Sequence, residues 1–306
     1  MQPMNDNGER LELLSVSLLE QQHDLVEQMR EISEVLGIGL GWHYLLDLPW
    51  AAQEIHARPE MLIIDAGAGR GAMQWWLAEQ GTHVISVDRS SRANLPRRFR
   101  EAYRIVGLRE EDLANLLLPL SLRDFLPPRY PRFWKNYPAK LRTSFKALSR
   151  QIERRGGGTV YVYNQDLRTM TDIQSNSVDA VVSISALEHN HPDELKACIS
   201  ELMRVLKPGG RLVATLAAAR DNDWYHEPSK GWCYTESTLR DIFGLRPDCP
   251  SNYDQYDELF AALRDCTELR DNLADFYFRS GDNGMPWGVW DPKYHPVGVV
   301  KVKPLV

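Results

Sequence analysis

The sequence lacks the features that mark several classes of protein. Its 306 residues contain no apolar run of about 18 residues, so we predict no membrane-spanning helix. It has four cysteines, none of them spaced as a C-x-x-C pair or as a zinc-binding set. The first residues form neither a basic segment nor an apolar one, so we expect no signal peptide. These absences favour free thiols in a reducing cytoplasm.

The charge of the chain is unevenly distributed. The net charge is −6, yet residues 89–158 contain 17 Lys and Arg against 6 Asp and Glu. The remainder of the chain is therefore strongly acidic. A basic block within an acidic chain predicts a surface dedicated to one kind of partner.

Apolar segments alternate with amphipathic ones along most of the chain. Residues 10–36 and 42–55 have helical periodicity. Strands are predicted after them, separated by helices, at 61–65, 83–88, 160–163, 180–185 and 211–216, with a short closing strand at 297–302. Continuous apolar strands separated by helices predict a parallel sheet that is covered on both faces.

Two segments interrupt this alternation and suggest how the chain is organised. Residues 92–158 are predicted as a basic helical insertion between the second and third strands, longer than a crossover needs. Residues 217–296 are predicted as a cap over the sheet edge where ligands of open α/β sheets bind. We therefore expect an N-terminal helical extension over 1–58 and a sheet domain formed by 59–91 and 159–306.

The most informative stretch joins the first strand to its helix. Asp65 ends the strand, and glycines follow at 67, 69 and 71. Glycine can adopt positive φ and lets a ligand approach the backbone, while the N–H groups that begin the helix face the turn. A dinucleotide fingerprint would read G-x-G-x-x-G, whereas this spacing is D-x-G-x-G-x-G. Asp88, at the end of the second strand, can bind both hydroxyls of a ribose, which favours an adenosine-containing ligand.

Together these motifs resemble the class I S-adenosylmethionine (SAM)-dependent methyltransferases, and specifically the methyltransferase type 11-like, small-molecule branch. The resemblance covers about residues 60–91 and 159–245, and its carriers are Ile64–Gly71, Val87-Asp88, Asn164–Leu167, Ser177–Ser183, Leu187-Glu188-His189 and Arg204–Leu212. It implies a doubly wound, Rossmann-like sheet of seven strands, six parallel and one antiparallel near the C-terminus.

The same resemblance implies that SAM is the cofactor and assigns its contacts. Asp65 would hold the amino group, Asp88 the ribose, and Ser185 would face the sulfonium. The remaining contacts would come from Gly67, Ala68, Gly69 and Gly71 near the methionine part, from Arg89, and from Asp166 and Leu167 beside the adenine. A turn-capping role is an equally weighted interpretation of Asp166.

His189 is the leading candidate for a general base, because an imidazole has an ordinary pKa of about 6.5 and this one follows the fourth strand. The alternative is that it braces the loop. Weaker candidates are His43, His191, Tyr225, His226 and Glu227. Asp221 and Asp223 resemble part of a magnesium site, but the ligand expected after the fourth strand is missing, so we predict a turn or helix cap and no metal.

The basic insertion over residues 92–158 indicates what kind of molecule the protein binds. Residues 138–155 have the pattern of a basic amphipathic helix. We rank an anionic or lipid-linked acceptor first, peripheral contact with a membrane surface second, and nucleic acid last, because no RNA-binding module accompanies the block. A lid that packs on the enzyme is the alternative to all three.

The sequence therefore predicts SAM-dependent methyl transfer to a small or carrier-linked acceptor, with O-methylation first. A saccharide, a lipid-linked glycan and a secondary metabolite are the acceptors considered. We expect the protein in the cytoplasm or at the inner face of the membrane. An RNA methyltransferase and a SAM-binding scaffold without catalysis are the alternatives.

Overall fold

The computed structural model describes residues 8–114, 157–271 and 289–305, together with positions 138, 141 and 142. The strands in this part of the chain are β1 (Arg10–Leu13), β2 (Leu62–Ala66), β3 (His83–Val87), β4 (Arg104–Gly107), β5 (Thr159–Tyr163), β6 (Val178–Ile184), β7 (Leu206–Ala218), β8 (Trp224–His226), β9 (Gly231–Tyr234) and β10 (His295–Val302). The helices are α1 (Leu18–Gln21), α2 (His23–Leu36), α3 (Tyr44–Glu54), α4 (Met73–Glu79), α5 (Arg97–Ala102), α6 (Pro192–Val205), α7 (Glu236–Phe243), α8 (Tyr256–Asp265) and α9 (Thr267–Asp271).

These strands form one mixed sheet. Its main order is β1-β10-β7-β6-β2-β3-β5-β4, and the β8–β9 pair is attached to β7. The six strands from β7 to β4 run parallel, and β10 pairs antiparallel with β7. The α/β sheet and its predicted parallel strands are confirmed. The implied count of seven strands is wrong, because the structure has ten within the described residues.

The register of the central strands brings their C-terminal ends level. Ala66 of β2 lies opposite Val87 of β3, and Val87 lies opposite Tyr163 of β5. Both faces of these strands are apolar and are covered: α2, α3 and α4 pack on one face, and α6 and α7 pack on the other. The polar residues that follow each strand are therefore gathered along one edge of the sheet.

The N-terminal segment departs from the helix predicted over 10–36. Residues 10–13 form β1, which pairs antiparallel with β10 at the edge of the sheet, and helices α1 and α2 follow. Leu11 and Leu13 alternate with charged residues and point into the core. This short period-two pattern decides the conformation, because β10 supplies a partner strand that the local sequence does not reveal.

The insertion between β3 and β5 is only partly helical. Its first part contains α5, then β4, which extends the sheet beside β5, and then a short 3-10 turn at Glu110–Asp112. The amphipathic helix predicted over 138–155 falls outside the described residues except at three positions. Across the described ranges, no helix is long and apolar enough to span a bilayer.

Candidate functional site

A cavity of about 680 Å³ opens at the level ends of the parallel strands. All eleven residues predicted as cofactor contacts or general base line it: Asp65, Gly67, Ala68, Gly69, Gly71, Asp88, Arg89, Asp166, Leu167, Ser185 and His189. On the outer side it is walled by residues 37–40 and by α5, which the sequence analysis did not assign to the site. The structure therefore brings the predicted residues together and adds an N-terminal wall.

The glycine turn has a specific geometry. Gly67 and Gly69 have φ values of 74° and 48°, whereas φ of Gly71 is not positive, so only two of the three glycines need the left-handed region. The Gly67 amide donates to the carbonyl of Val87, 2.9 Å away, which ties the turn to β3. A Cβ on Gly67 would overlap with the Cβ of Ala186. The chain can therefore pass beneath the loop after β6 only with glycine at this position.

A buried glutamine holds the turn from below. The Nε2 group of Gln74 donates to the carbonyl oxygens of Ala68 (3.2 Å) and Gly71 (3.1 Å). Its Oε1 atom accepts a hydrogen bond of 2.6 Å from the hydroxyl of Ser86 on β3. The turn is thus fixed to its neighbouring strand by one side chain, which sequence reasoning missed because nothing marks this helix residue as buried and polar.

Arg92 is the second residue that sequence reasoning missed. Its side chain is buried, and one terminal nitrogen donates to the carbonyl oxygens of Ser86 (2.6 Å) and Tyr163 (3.0 Å), at the ends of β3 and β5. Burial lowers the pKa of Arg92, and the nearby charges of Asp88 and Asp65 oppose that shift. This arginine therefore joins two strand ends and places a positive charge beneath the cavity floor.

Two carboxyl groups of the floor differ in their electrostatics. Asp65 is buried, and burial raises its pKa to about 7; the charge of Arg92 acts in the opposite direction. The carboxylate of Asp88 accepts backbone N–H bonds from Gly69 (2.8 Å) and Ser90 (2.7 Å), one on each oxygen. Each oxygen keeps a further lone pair for another donor.

Asp166 has a structural role in addition to its place at the cavity. Its carboxylate accepts three hydrogen bonds from Arg168, one from the backbone N–H at 2.9 Å and two from the guanidinium. These bonds to Arg168 lower the pKa of Asp166. The turn-capping interpretation is therefore observed, and contact with adenine stays a prediction for Asp166 and Leu167.

A buried acid lies behind the end of β6. Ser185 has a positive φ of 45°, its amide donates to the carbonyl of Thr215 on β7 (3.1 Å), and its hydroxyl donates to Glu188. Burial raises the pKa of Glu188, whose second carboxyl oxygen has no hydrogen-bond partner. The serine at the cavity is thus held in a strained conformation by two neighbouring groups.

His189 lines the cavity in a defined orientation. Its Nδ1 atom lies 3.0 Å from the carbonyl oxygen of Lys230, in the turn between β8 and β9. Because a carbonyl can only accept, Nδ1 carries a hydrogen, which in the neutral ring leaves Nε2 as a free acceptor. The neighbouring Gly231 packs closely here, since a Cβ on it would lie 3.1 Å from Glu188 Cγ and 3.6 Å from His189 Nδ1.

The weaker candidates lie outside the cavity lining. His43 is buried and its Nδ1 is 2.8 Å from Asp47, whose pKa is raised by burial. His226 is also buried, and burial lowers its pKa. The others, His191, Tyr225 and Glu227, are exposed on the surface near the β8–β9 pair.

Of the two aspartates after β7, Asp223 acts as a local cap. The carboxylate of Asp223 accepts hydrogen bonds from the backbone N–H of Thr235 (2.7 Å) and from the hydroxyl of Thr238 (2.7 Å), at the start of α7. Asp221 is exposed beside Arg220. Within the described ranges, no group of three or more His, Cys, Asp or Glu side chains is arranged to hold a metal ion.

The chemistry of the floor fits SAM. Asp88 is an acceptor-only group with free lone pairs beside the turn, as a ribose diol requires. The backbone of Gly69, with φ of 48°, lies beside that carboxylate, since an added Cβ would be 3.8 Å from Asp88 Oδ2. The buried Asp65 is placed to ionise against a cationic amino group.

Many known structures are similar to this chain at low sequence identity, and three of them illustrate the likeness. The cyclase SpnF is 15% identical with a TM-score of 0.46, and the alignment covers 98% of this chain and 100% of that one. An N1-methyltransferase for 1,6-didemethyltoxoflavin from Burkholderia thailandensis, solved with S-adenosylhomocysteine, is 15% identical with a TM-score of 0.38 and respective coverages of 94% and 85%. The magnesium protoporphyrin IX methyltransferase of Synechocystis, solved with SAM, is also 15% identical with a TM-score of 0.38, and the alignment covers 94% of this chain and 85% of that one.

Comparison of sequences gives one family. No curated protein matches the chain. Residues 139–214, about a quarter of the chain, match the model of a family described as a methyltransferase domain. That match takes in β5, β6, α6 and most of β7, and the turn after β2 supplies the cofactor motif that it does not reach. Residues 139–214 therefore match a methyltransferase domain, and they line a single cavity together with the turn after β2.

Proposed function

We propose that this chain is a class I SAM-dependent methyltransferase that methylates a hydroxyl group on a small or carrier-linked acceptor, with His189 as the general base. One observation carries the proposal. The hydrogen bond from Nδ1 to the Lys230 carbonyl fixes the neutral ring in the form whose Nε2 can accept a proton, on a side chain that lines the cavity. An acceptor hydroxyl that loses its proton during methyl transfer needs such a group.

The cavity lining suggests separate roles for the cofactor and for the protein side chains. SAM supplies an electrophilic methyl group on a sulfonium. The protein has to hold the acceptor oxygen in line with that group and receive its proton. Ser185, fixed by Thr215 and Glu188, would orient the cofactor end, and His189 would receive the proton at Nε2.

The acceptor that we propose is anionic: a saccharide, a lipid-linked glycan or a secondary metabolite that bears an acidic group. The excess of basic residues over 89–158 supports this class. Peripheral membrane contact through 138–155 and a cytoplasmic location stay predictions.

The test is methyl transfer from labelled SAM to small metabolites extracted from cells, with His189→Gln compared to wild type. We expect turnover to fall by about 10²-fold to 10⁴-fold, with SAM affinity in calorimetry unchanged. His191→Gln is the matched control, because His191 lies outside the cavity lining and its side chain is 62% exposed.

The possible outcomes separate the alternatives. Unchanged turnover in His189→Gln would remove this residue from the mechanism. Transfer to total RNA in preference to metabolites would favour the RNA methyltransferase. SAM binding without transfer to any acceptor would favour the scaffold.

A further inference from the structure

Two arginines stand together at the outer end of the cavity. Arg70 belongs to the glycine turn, and Arg98 belongs to α5. Both line the cavity next to the N-terminal wall at residues 37–40. We propose that Arg70 and Arg98 form an anion-binding subsite, which takes a carboxylate or phosphate group.

The first argument is charge balance. Arg89 acts electrostatically on Asp166, and Arg92 acts on Asp65 and Asp88. Among the described residues, no carboxylate forms an ion pair with Arg70 or with Arg98. The two guanidinium groups instead act on each other as like charges.

Like charges placed side by side are unfavourable unless an opposite charge joins them. Burial and the charge of Arg70 both lower the pKa of Arg98, in the same direction. An anion bound between the two guanidinium groups would oppose the lowering of the Arg98 pKa by Arg70. The arrangement is thus explained by a ligand that brings the missing negative charge.

The second argument is the support of Arg98. Its guanidinium lies against the backbone of Gly37, where an added Cβ would be 3.5 Å from Arg98 Cζ. Gly37 ends α2 with φ of 59°, so a residue with a side chain would be strained at this position. The N-terminal wall therefore offers a flat face that holds this guanidinium at the cavity.

The chemistry of the pair sets the class of ligand. A guanidinium presents a planar fork of donors that matches the two oxygens of a carboxylate or phosphate. Two sources could supply such a group: the amino-acid carboxylate of the cofactor, or an acidic group of the acceptor. The inference rests on the proposed function in one respect, because it requires that the cavity take both molecules.

The test is isothermal titration calorimetry with Arg70→Gln, Arg98→Gln and, as a matched control, Arg104→Gln, an exposed arginine of β4 outside the cavity. The probes are S-adenosylhomocysteine, which has the carboxylate, and methylthioadenosine, which lacks the whole amino acid. Inorganic phosphate is titrated separately into the protein saturated with methylthioadenosine. Arg98→Lys and a thermal melt of each variant control for loss of fold.

We expect the affinity for S-adenosylhomocysteine or the affinity for phosphate to fall by about 10-fold to 100-fold in Arg70→Gln and in Arg98→Gln, and not in the control. Loss of S-adenosylhomocysteine affinity with methylthioadenosine unchanged assigns the subsite to the cofactor carboxylate. Loss of phosphate binding alone assigns it to the acceptor. The proposal is overturned if the folded Arg70→Gln and Arg98→Gln variants bind both S-adenosylhomocysteine and phosphate as well as wild type and the Arg104→Gln control do. These measurements need no turnover, so they are independent of the His189 experiment.

Discussion

The floor and the rim of the cavity are built in different ways. The floor is made from strand ends and one short turn, and its contacts link residues that are close in sequence or on adjacent strands: Gln74 to the turn, and Arg92 to the ends of β3 and β5. The rim is assembled from distant segments: residues 37–40, α5, His189 and the β8–β9 turn.

This difference assigns separate tasks to the two regions. The floor carries groups whose spacing suits an adenosine cofactor, and buried hydrogen bonds leave it little freedom to change. The rim carries the proposed base, the two arginines of the proposed anion subsite and the wall, so we expect it to decide which acceptor is methylated. Changes in the floor should therefore abolish cofactor binding, whereas changes at His189 or Gly231 in the rim should alter turnover and leave the cofactor bound.

The largest expected effect is that of Gly67→Ala in the floor. The new Cβ would overlap with Ala186, and alanine at φ of 74° adds strain. We expect SAM affinity to fall by about 100-fold or more, measured by calorimetry, because the turn must move. The matched control is Gly244→Ala, which has φ of 57° but no atom within 4 Å of the new Cβ. That variant should lose only about 1–2 kcal/mol of stability through strain.

If Gly67→Ala bound SAM as well as Gly244→Ala does, the turn would be free to relax. The proposal that the floor is more rigid than the rim would then be wrong.

The second prediction concerns the pH dependence of the floor. The pKa of Asp65 is about 7 in the folded protein, above its ordinary value of 3.8, so the folded state holds a proton that the unfolded chain has released. Stability of the cofactor-free protein should therefore fall as pH rises from about 4 to 7, most steeply by about 1.4 kcal/mol per pH unit. Asp65→Asn should remove this slope in thermal or urea denaturation.

The same group links pH to cofactor binding. An ammonium beside Asp65 favours the carboxylate, so affinity for S-adenosylhomocysteine should rise toward pH 7 by at most about tenfold per pH unit. Methylthioadenosine, which has no amino group, is the control and should bind with little dependence on pH. Equal slopes for the two ligands would mean that Asp65 does not face the amino group.

The smallest effect is expected in the rim, from Gly231→Ala. The added methyl group would press on Glu188 Cγ, 3.1 Å away, so Glu188 should shift by a few tenths of an ångström and displace the adjacent His189. We expect turnover to fall by about tenfold or less, with SAM affinity unchanged. In a His189→Ala background the same substitution should have no further effect, which a double-mutant cycle would measure. An equal loss in both backgrounds would show that the glycine acts on something other than the base.

The floor was largely predictable from the sequence because its signals are local. The strands, the glycine turn and Asp88 are each marked within a few residues, and the structure confirms that they meet. Arg92 and Gln74 were not predictable, because no local pattern separates a buried polar side chain from an exposed one.

The rim was less predictable for a related reason. The partner of His189 is a backbone carbonyl 41 residues away, and a carbonyl leaves no trace in a sequence. The strand β1 was missed because four residues with two leucines also fit a helical spacing, and only pairing with β10 decides between them.

That pairing has a consequence for the order in which the molecule is made. Leu11 lies opposite Val299, and Trp50 of α3 covers Gly298, where any side chain would collide with the indole ring. The N-terminal elements therefore leave the ribosome long before the strand on which they dock. Since α2 leads into the cavity wall at 37–40, we expect the nascent chain to gain its cofactor pocket only after β10 has been made, and to need protection of its apolar helices until then.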